Sequence, residues 1–290
     1  MVVKLNIIDR CTLAYNGVVL ALLLLFHTRV PHWPWLLLPN LIAMGIILLL
    51  ACVVQERSSL ILRLTRNLAP LILFIPMYIQ TGSLNHIVFP DFLDPLFSRI
   101  EETLFGLQPA IVFAQKFPQP WISEYMHFAY ATYYGLFAGL GAFLYLRRDR
   151  LAFFDYMFSL CATMYICLLT YILLPVRGAV IFSQGDASVS AMLPFTAAMA
   201  WIYRHLEIDG AAFPSSHVAI ATLVLYYTVR YARAAAWIVG PLVISLILST
   251  VYCGYHYAID VLAGLVTVAV LLPVWRRINP ALRVPGNDIL

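Results

Sequence analysis

Apolar residues gather in long runs divided by short polar segments, and the runs have membrane length rather than the length of soluble helices. The first, Thr12 to Phe26, follows Lys4 and Arg10 as a secretory leader would. No small-residue cleavage site follows it; the next residues are His27-Thr28-Arg29-Val30-Pro31, so the run predicts a retained helix. Seven further spans are expected, near 34–54, 68–82, 126–146, 151–174, 214–231, 235–252 and 256–275. The third has the weakest signal, being short, interrupted by Pro70 and Pro76, and closed by Gln80-Thr81-Gly82-Ser83.

Charge supports keeping that third span. With eight spans and a cytoplasmic N-terminus, thirteen of the eighteen Lys and Arg residues fall inside, leaving Arg29, Arg99, Lys116, Arg177 and Arg204 outside. Nine of the fourteen acids also fall outside, so the positive-inside rule is met and both termini are expected to be cytoplasmic. Two long outer connections remain, near 83–125 and 175–213. In the first, Leu93, Leu96, Phe97, Ile100 and Leu104 recur at helical spacing opposite Asp91, Asp94, Ser98, Glu101 and Glu102, which predicts a helix lying in the interface. In the second, Ala191 to Tyr203 is apolar but too short to span and ends in Arg204-His205-Leu206-Glu207, an outer surface segment. The expected fold is an all-α polytopic bundle. Residues 1–119 form N-terminal membrane helices plus the interfacial helix, 120–280 a second membrane bundle, and 281–290 a cytoplasmic tail.

Composition excludes other classes. Of 290 residues 62% are hydrophobic and only 11% charged, with mean hydropathy +0.86, against about 25% charged in soluble proteins. Strand-period alternation suited to an outer-membrane barrel is missing. The basic residues sit singly or in threes between apolar runs, which orients a membrane protein and argues against a nucleic-acid partner. The five cysteines have no paired spacing, so neither disulfide nor metal is read from them.

The topology puts all seven histidines at outer span ends or in outer loops. His217 stands in Ala212-Phe213-Pro214-Ser215-Ser216-His217, where a span begins; Pro and Ser are start signals, and a helix start with two hydroxyls suits a phosphate. A well-capped helix that happens to hold a histidine fits the same residues. His256 stands in Tyr252-Cys253-Gly254-Tyr255-His256-Tyr257-Ala258-Ile259-Asp260, and i, i+4 spacing puts His256 and Asp260 on one helix face. Such an Asp can fix the imidazole tautomer and leave the other nitrogen as base or nucleophile; a structural His-Asp pair is the plainer alternative. Glu124, His127, Tyr130 and Tyr134 recur at helical spacing and read either as a headgroup pocket or as an aromatic belt.

Together, Pro214-Ser215-Ser216-His217 and Ser249-Thr250, five residues, His256, three residues, Asp260 resemble the second and third signatures of the type 2 phosphatidic acid phosphatase (PAP2) superfamily, P-S-G-H and S-R-x5-H-x3-D. The resemblance runs over about residues 120–275. It implies that His256 takes the phosphoryl group, Asp260 orients it, His217 protonates the leaving group, and Ser215 sits at the phosphate; Ser216 stands where the family has Gly and is a phosphate ligand only by the helix-start reading above. The first signature, K-x6-R-P, survives only as Arg177: Thr170 stands where Lys would be and Gly178 where Pro would be, and Thr250 replaces the third-signature Arg. An isolated Arg177 also fits an interface anchor. A clamp short of two cations suits a diester, and the altered motifs are similar to the inositol phosphorylceramide synthase branch.

The resemblance therefore implies a lipid phosphatase or phosphotransferase that needs no metal or cofactor. Its substrate would be a phospholipid or other lipid phosphate, with a lipid alcohol as acceptor if the phosphate is transferred. Arg outnumbers Lys sixteen to two, as in GC-rich bacterial genomes, so a bacterial inner membrane with a periplasmic site is expected; in a eukaryote the same face would be luminal. A haem or metal-binding membrane protein would use the histidines as ligands, and a transporter would place polar groups near the midplane.

Overall fold

The computed structural model describes residues 5–55, 58–179, 193–206 and 208–282. Eleven α-helices run through these residues: α1 (Ile7–Leu25), α2 (Trp33–Val53), α3 (Leu60–Leu84), α4 (Asp94–Phe105), α5 (Pro109–Lys116), α6 (Pro120–Leu146), α7 (Arg150–Leu173), α8 (Pro194–Leu206), α9 (Ser216–Tyr231), α10 (Ala236–Tyr252) and α11 (Ala258–Leu282). Six helical segments are long and apolar enough to cross a membrane: α1, α2, α3, α7, Arg233–Tyr252, which takes in α10, and the Ala258–Ile278 part of α11. The protein is an all-helical integral membrane protein. The expected fourth and sixth spans correspond to α6 and α9, which are not among the six. Helix α9 has only 16 residues, and the first half of α6 is diluted by Glu124, His127 and several tyrosines.

Local chemistry moves several boundaries. Ser59 caps α3, its hydroxyl accepting the Leu62 N–H at 3.4 Å, so the third span begins eight residues before 68 and carries Pro70 and Pro76 within it. Helix α1 opens with a capping box in which Asn6 accepts from Asp9 N at 2.8 Å and Asp9 accepts from Asn6 N at 2.9 Å. The same Asp9 carboxylate meets Arg66 of α3 at 2.8 Å, both side chains 2% exposed, and Arg66 also reaches the Val54 carbonyl at 3.2 Å. This end of the bundle, where Tyr227 and Tyr231 also bind Asp155, is the one expected to be cytoplasmic. The expected loop residues Lys4, Glu56, Arg57, Glu207 and Arg283 lie outside the described residues, as do 191–192 of the short apolar segment.

At the opposite end the C-termini of α1, α3, α7 and α10 meet the N-termini of α2, α6, α9 and α11. Arg29 bonds the Ile87 carbonyl there, Asn85 the Asp209 carbonyl, and Leu93 N the Pro175 carbonyl. Short α9 is surrounded by α6, α7, α10 and α11, while α1 and α3 pack on the other side of α7. Lipid tails are as apolar as leucine, so close packing and interhelical hydrogen bonds hold such a bundle, the latter averaging about 0.6 kcal/mol each. Thr12–Tyr165 at 2.8 Å, Ser159–Tyr227 at 2.7 Å and Trp275–Thr163 at 3.1 Å are bonds of this kind. Gly264 provides the close approach: a Cβ there would meet the Ser215 carbonyl at 2.7 Å, so α11 lies directly against the start of α9.

The helix expected around 93–104 exists as α4, but its faces are not divided as the pattern suggests. Leu96, Ile100 and Leu104 are exposed, whereas Glu101 is fully buried with Phe97, and Asp94 faces inward. The carboxylates point into the protein because unpaired backbone N–H groups wait for them there. Helix α8 takes up the apolar stretch from Pro194 and continues through Arg204 and His205, and α5 has no counterpart in the sequence pattern.

Candidate active site

Three segments converge at the end expected to face outward. The extended stretch after α7 carries Arg177 and lies beside 210–212, with Ala212 N bonding the Val176 carbonyl at 2.8 Å and a bridge between Val176 and Ala211. Gly178 turns this stretch with φ +91°, a conformation that glycine adopts freely, and packs so closely that any side chain would overlap the Tyr255 carbonyl. Proline, locked near φ −65°, cannot take this conformation. The departure from the family pattern at 178 is thus built into the backbone.

The second segment is the start of α9, preceded by a cis Phe213–Pro214 bond. Ser215 is the N-cap, its hydroxyl accepting Val218 N at 3.4 Å, and it is buried behind the site. Ser216 lines the cavity. The Tyr171 hydroxyl donates to the Pro214 carbonyl at 3.1 Å and accepts from Ser216 N at 3.2 Å, which fixes the approach to the helix. His217 follows, its ring stacked on Tyr130 at 4.5 Å and tilted against Tyr133 at 4.3 Å. Its Nδ1 lies 3.4 Å from the Tyr130 hydroxyl, and its buried Nε2 has no hydrogen-bond partner among the described residues.

The third segment is the turn from α10 to α11. The Thr250 carbonyl accepts both Tyr255 N and His256 N at 3.1 Å, which pins the histidine backbone to the end of α10. His256 is 4% exposed and Asp260 0%. His256 Nδ1 lies 3.5 Å from Asp260 Oδ2, a pairing distance rather than a formed hydrogen bond, and Oδ2 also accepts Tyr257 N at 2.9 Å. Catalytic hydrogen bonds are often this loose before substrate arrives. Ser215 N bonds the Asp260 carbonyl at 3.1 Å and so couples the second and third segments.

The rings of His217 and His256 lie 5.7 Å apart with a 58° interplanar angle. They line a narrow cavity of about 20 Å³ together with Arg177, Ser216, Tyr130, Tyr78, Tyr203, Tyr255, Ala211 and Ala212. That is room for about one water molecule. The Arg177 guanidinium sits 3.9 Å over the Phe92 ring and 3.7 Å from Asp209, an exposed pair worth little by itself.

The remaining expected residues divide. Of His127, Tyr130 and Tyr134 only Tyr130 lines the cavity. His127 is bound to the Ser123 carbonyl at 2.7 Å, and Tyr134 is half exposed against Tyr133, because the helix turns Tyr130 and Tyr133 toward His217. Glu124 caps α8, accepting Phe195 N, Thr196 N and the Thr196 hydroxyl. The Thr170 and Thr250 hydroxyls bond carbonyls of their own helices, and Arg204 bonds the Ala200 carbonyl away from the cavity. Tyr78, Tyr171, Tyr203 and Tyr255 had no motif to announce them. Asp94 and Glu101 had one signal, their seven-residue spacing.

The apolar helix bundle, with His217, His256, Asp260 and Arg177 gathered at one end of it, has a membrane phosphatase-type fold. The chain belongs to the PAP2 superfamily, a group of phosphatases and phosphotransferases, whose family model matches residues 97–274. That is more than half of the chain and contains both histidines, Asp260 and Arg177. Searches of curated proteins and of solved structures gave no match.

Proposed function

We propose that the protein is a membrane-embedded lipid phosphoesterase or phosphotransferase that works through a phosphohistidine on His256. The observation that carries this is the approach of His217 to His256 across a cavity that Arg177 also lines, with Asp260 behind His256. Asp260 faces Nδ1 and holds its proton, so Nε2 attacks phosphorus. As the new P–N bond forms, the P–O bond to the leaving group breaks and His217 gives its proton to the departing oxygen. Water or a lipid alcohol then attacks the phosphohistidine, His217 takes back a proton, and the P–N bond breaks to regenerate His256. The guanidinium of Arg177 can bind two phosphate oxygens at once.

With Thr170 and Thr250 turned to their own helices, the clamp described here rests on one cation, which favours a phosphodiester monoanion over a monoester dianion. The reading places the site on the periplasmic or luminal face and uses no metal. Purified protein in lipid nanodiscs, given labelled phosphatidic acid, a phosphatidylinositol or a prenyl diphosphate, with and without ceramide or diacylglycerol, should release phosphate or form a new lipid. Turnover retained in His256→Ala, or lost in EDTA and restored by zinc, would overturn it.

A further inference from the structure

We propose that Glu101 and Asp94 of α4 are positioning residues that brace the reactive turn from outside the catalytic bundle. The proposal rests on the phosphohistidine reading above. Helix α11 begins at Ala258, two residues after His256 and two before Asp260, and the first N–H groups of any helix have no partner within it. Here they find one in another helix: Glu101 Oε1 accepts from both Ala258 N and Ile259 N, the latter at 3.3 Å. Glu101 is 0% exposed. A carboxylate buried at a helix start also meets the positive end of the helix dipole.

Seven residues earlier, on the same face of α4, Asp94 makes the complementary contacts. Its two oxygens lie 3.2 and 3.1 Å from Arg177 N, and Oδ1 accepts the Tyr257 hydroxyl at 3.3 Å. One short helix therefore grips the segment bearing the phosphate-binding arginine and the turn bearing the nucleophile, and holds them in register. Phe97, between the two acids, packs on Phe213 and Tyr257 and fills the space inside the brace. Neither acid lines the cavity, so both act through the residues they hold.

The two grips should fail in different ways. Loosening the start of α11 displaces His256 and Asp260, which lowers kcat. Loosening Arg177 weakens capture of the phosphate, which raises KM. Glu101→Ala, Glu101→Gln, Asp94→Ala and His256→Ala are compared with the wild type as full-length protein in nanodiscs. Turnover is measured on the lipid that the wild type uses, and amide hydrogen exchange is followed in the peptide spanning 255–262. Glu101→Ala should speed exchange there by about tenfold or more. It should lower kcat roughly 10- to 100-fold, with KM within about twofold. Glu101→Gln, whose amide oxygen still accepts both N–H groups, should restore both readouts, and Asp94→Ala should act chiefly on KM. Wild-type exchange and kcat in Glu101→Ala, or a Gln variant as impaired as the Ala variant, would overturn the brace. Turnover in His256→Ala removes the phosphohistidine reading alone, because the exchange measurement decides the brace without it.

Discussion

The ring of His217 is stacked on Tyr130, packed against Tyr133, and presented to the ring of His256, whose centroid lies 5.7 Å away in the turn that leads into α11. This arrangement assigns the two histidines different losses. His256→Ala should abolish both turnover and the acid-labile phosphoprotein. His217→Ala should slow cleavage of a lipid by roughly 10²- to 10⁴-fold, the usual worth of a placed proton donor, while still forming phosphoprotein from an activated nitrophenyl diester. Label trapped in His256→Ala, or equal losses on both substrates in His217→Ala, would contradict the assignment.

Arg177 lines the cavity and Arg204 does not. Arg177→Ala should therefore lower kcat/KM roughly 10- to 100-fold, the loss of one or two charge-assisted hydrogen bonds, with Lys restoring only part because its point charge cannot bind bidentately. Arg204→Ala should stay within about twofold. An arginine at 250, the family's position, has nowhere to go: Thr250 is 0% exposed and its hydroxyl bonds the Ile247 carbonyl. Steady-state kinetics of the four variants, with thermal unfolding of Thr250→Arg, separate clamp from packing. Thr250→Arg should lose stability rather than change substrate preference.

Gly178→Pro would bring the first motif closer to the family pattern and should nonetheless inactivate the protein. Its φ of +91° and its contact with the Tyr255 carbonyl exclude proline, and even Gly178→Ala carries the strain of a left-handed conformation, about 1–2 kcal/mol, in addition to the overlap. Thermal unfolding in nanodiscs should rank wild type above Ala and Ala above Pro. A Pro variant as stable and active as wild type would refute the geometry.

Burial pushes the Glu101 carboxyl above the ordinary carboxylate range. The N–H groups of Ile259 and Ala258 pull it back, and the Asp260 carboxylate pushes it further up. Burial raises Asp94 in the same way. A carboxyl raised in the folded state binds its proton more tightly there than when unfolded. Its stabilising effect is therefore complete below the unfolded value of about 4.3 and fades as pH rises through the folded value. Glu101→Gln removes that titration. Its melting temperature relative to wild type should climb from acid pH toward neutrality, and a difference independent of pH would show that Glu101 is not raised.

Much of this was legible in the chain. The apolar runs and the starts of α9 and α11 are local features, and local features survive folding; the spacing of His256 and Asp260 does bring them together, though across the turn before α11 rather than along one helix face. Partners of distant residues were not legible. Amphipathic spacing in α4 pointed Glu101 toward water, because a helical wheel has no knowledge of the unpaired N–H groups of Ala258 and Ile259, more than 150 residues later. Helical spacing groups Tyr134 with Tyr130 and passes over Tyr133, which packs on His217, because only the position of His217 selects the face that matters. Ser215 read as a phosphate ligand because a capping serine and a phosphate-binding serine occupy the same place in a motif.

The cavity between the two histidines holds about one water, which no phosphate-bearing headgroup can match in size. A headgroup needs more room than that, so on the proposed chemistry the side chains around the cavity have to spread into a more open form to admit it. Tyr203, stacked on Tyr255 at 4.1 Å, belongs to α8, whose start is gripped by Glu124 of α6. The apparent affinity for a lipid is then its affinity for the open form scaled by the fraction of time that form exists. Changes at the Glu124 grip would alter affinity and turnover without touching a single atom that reacts.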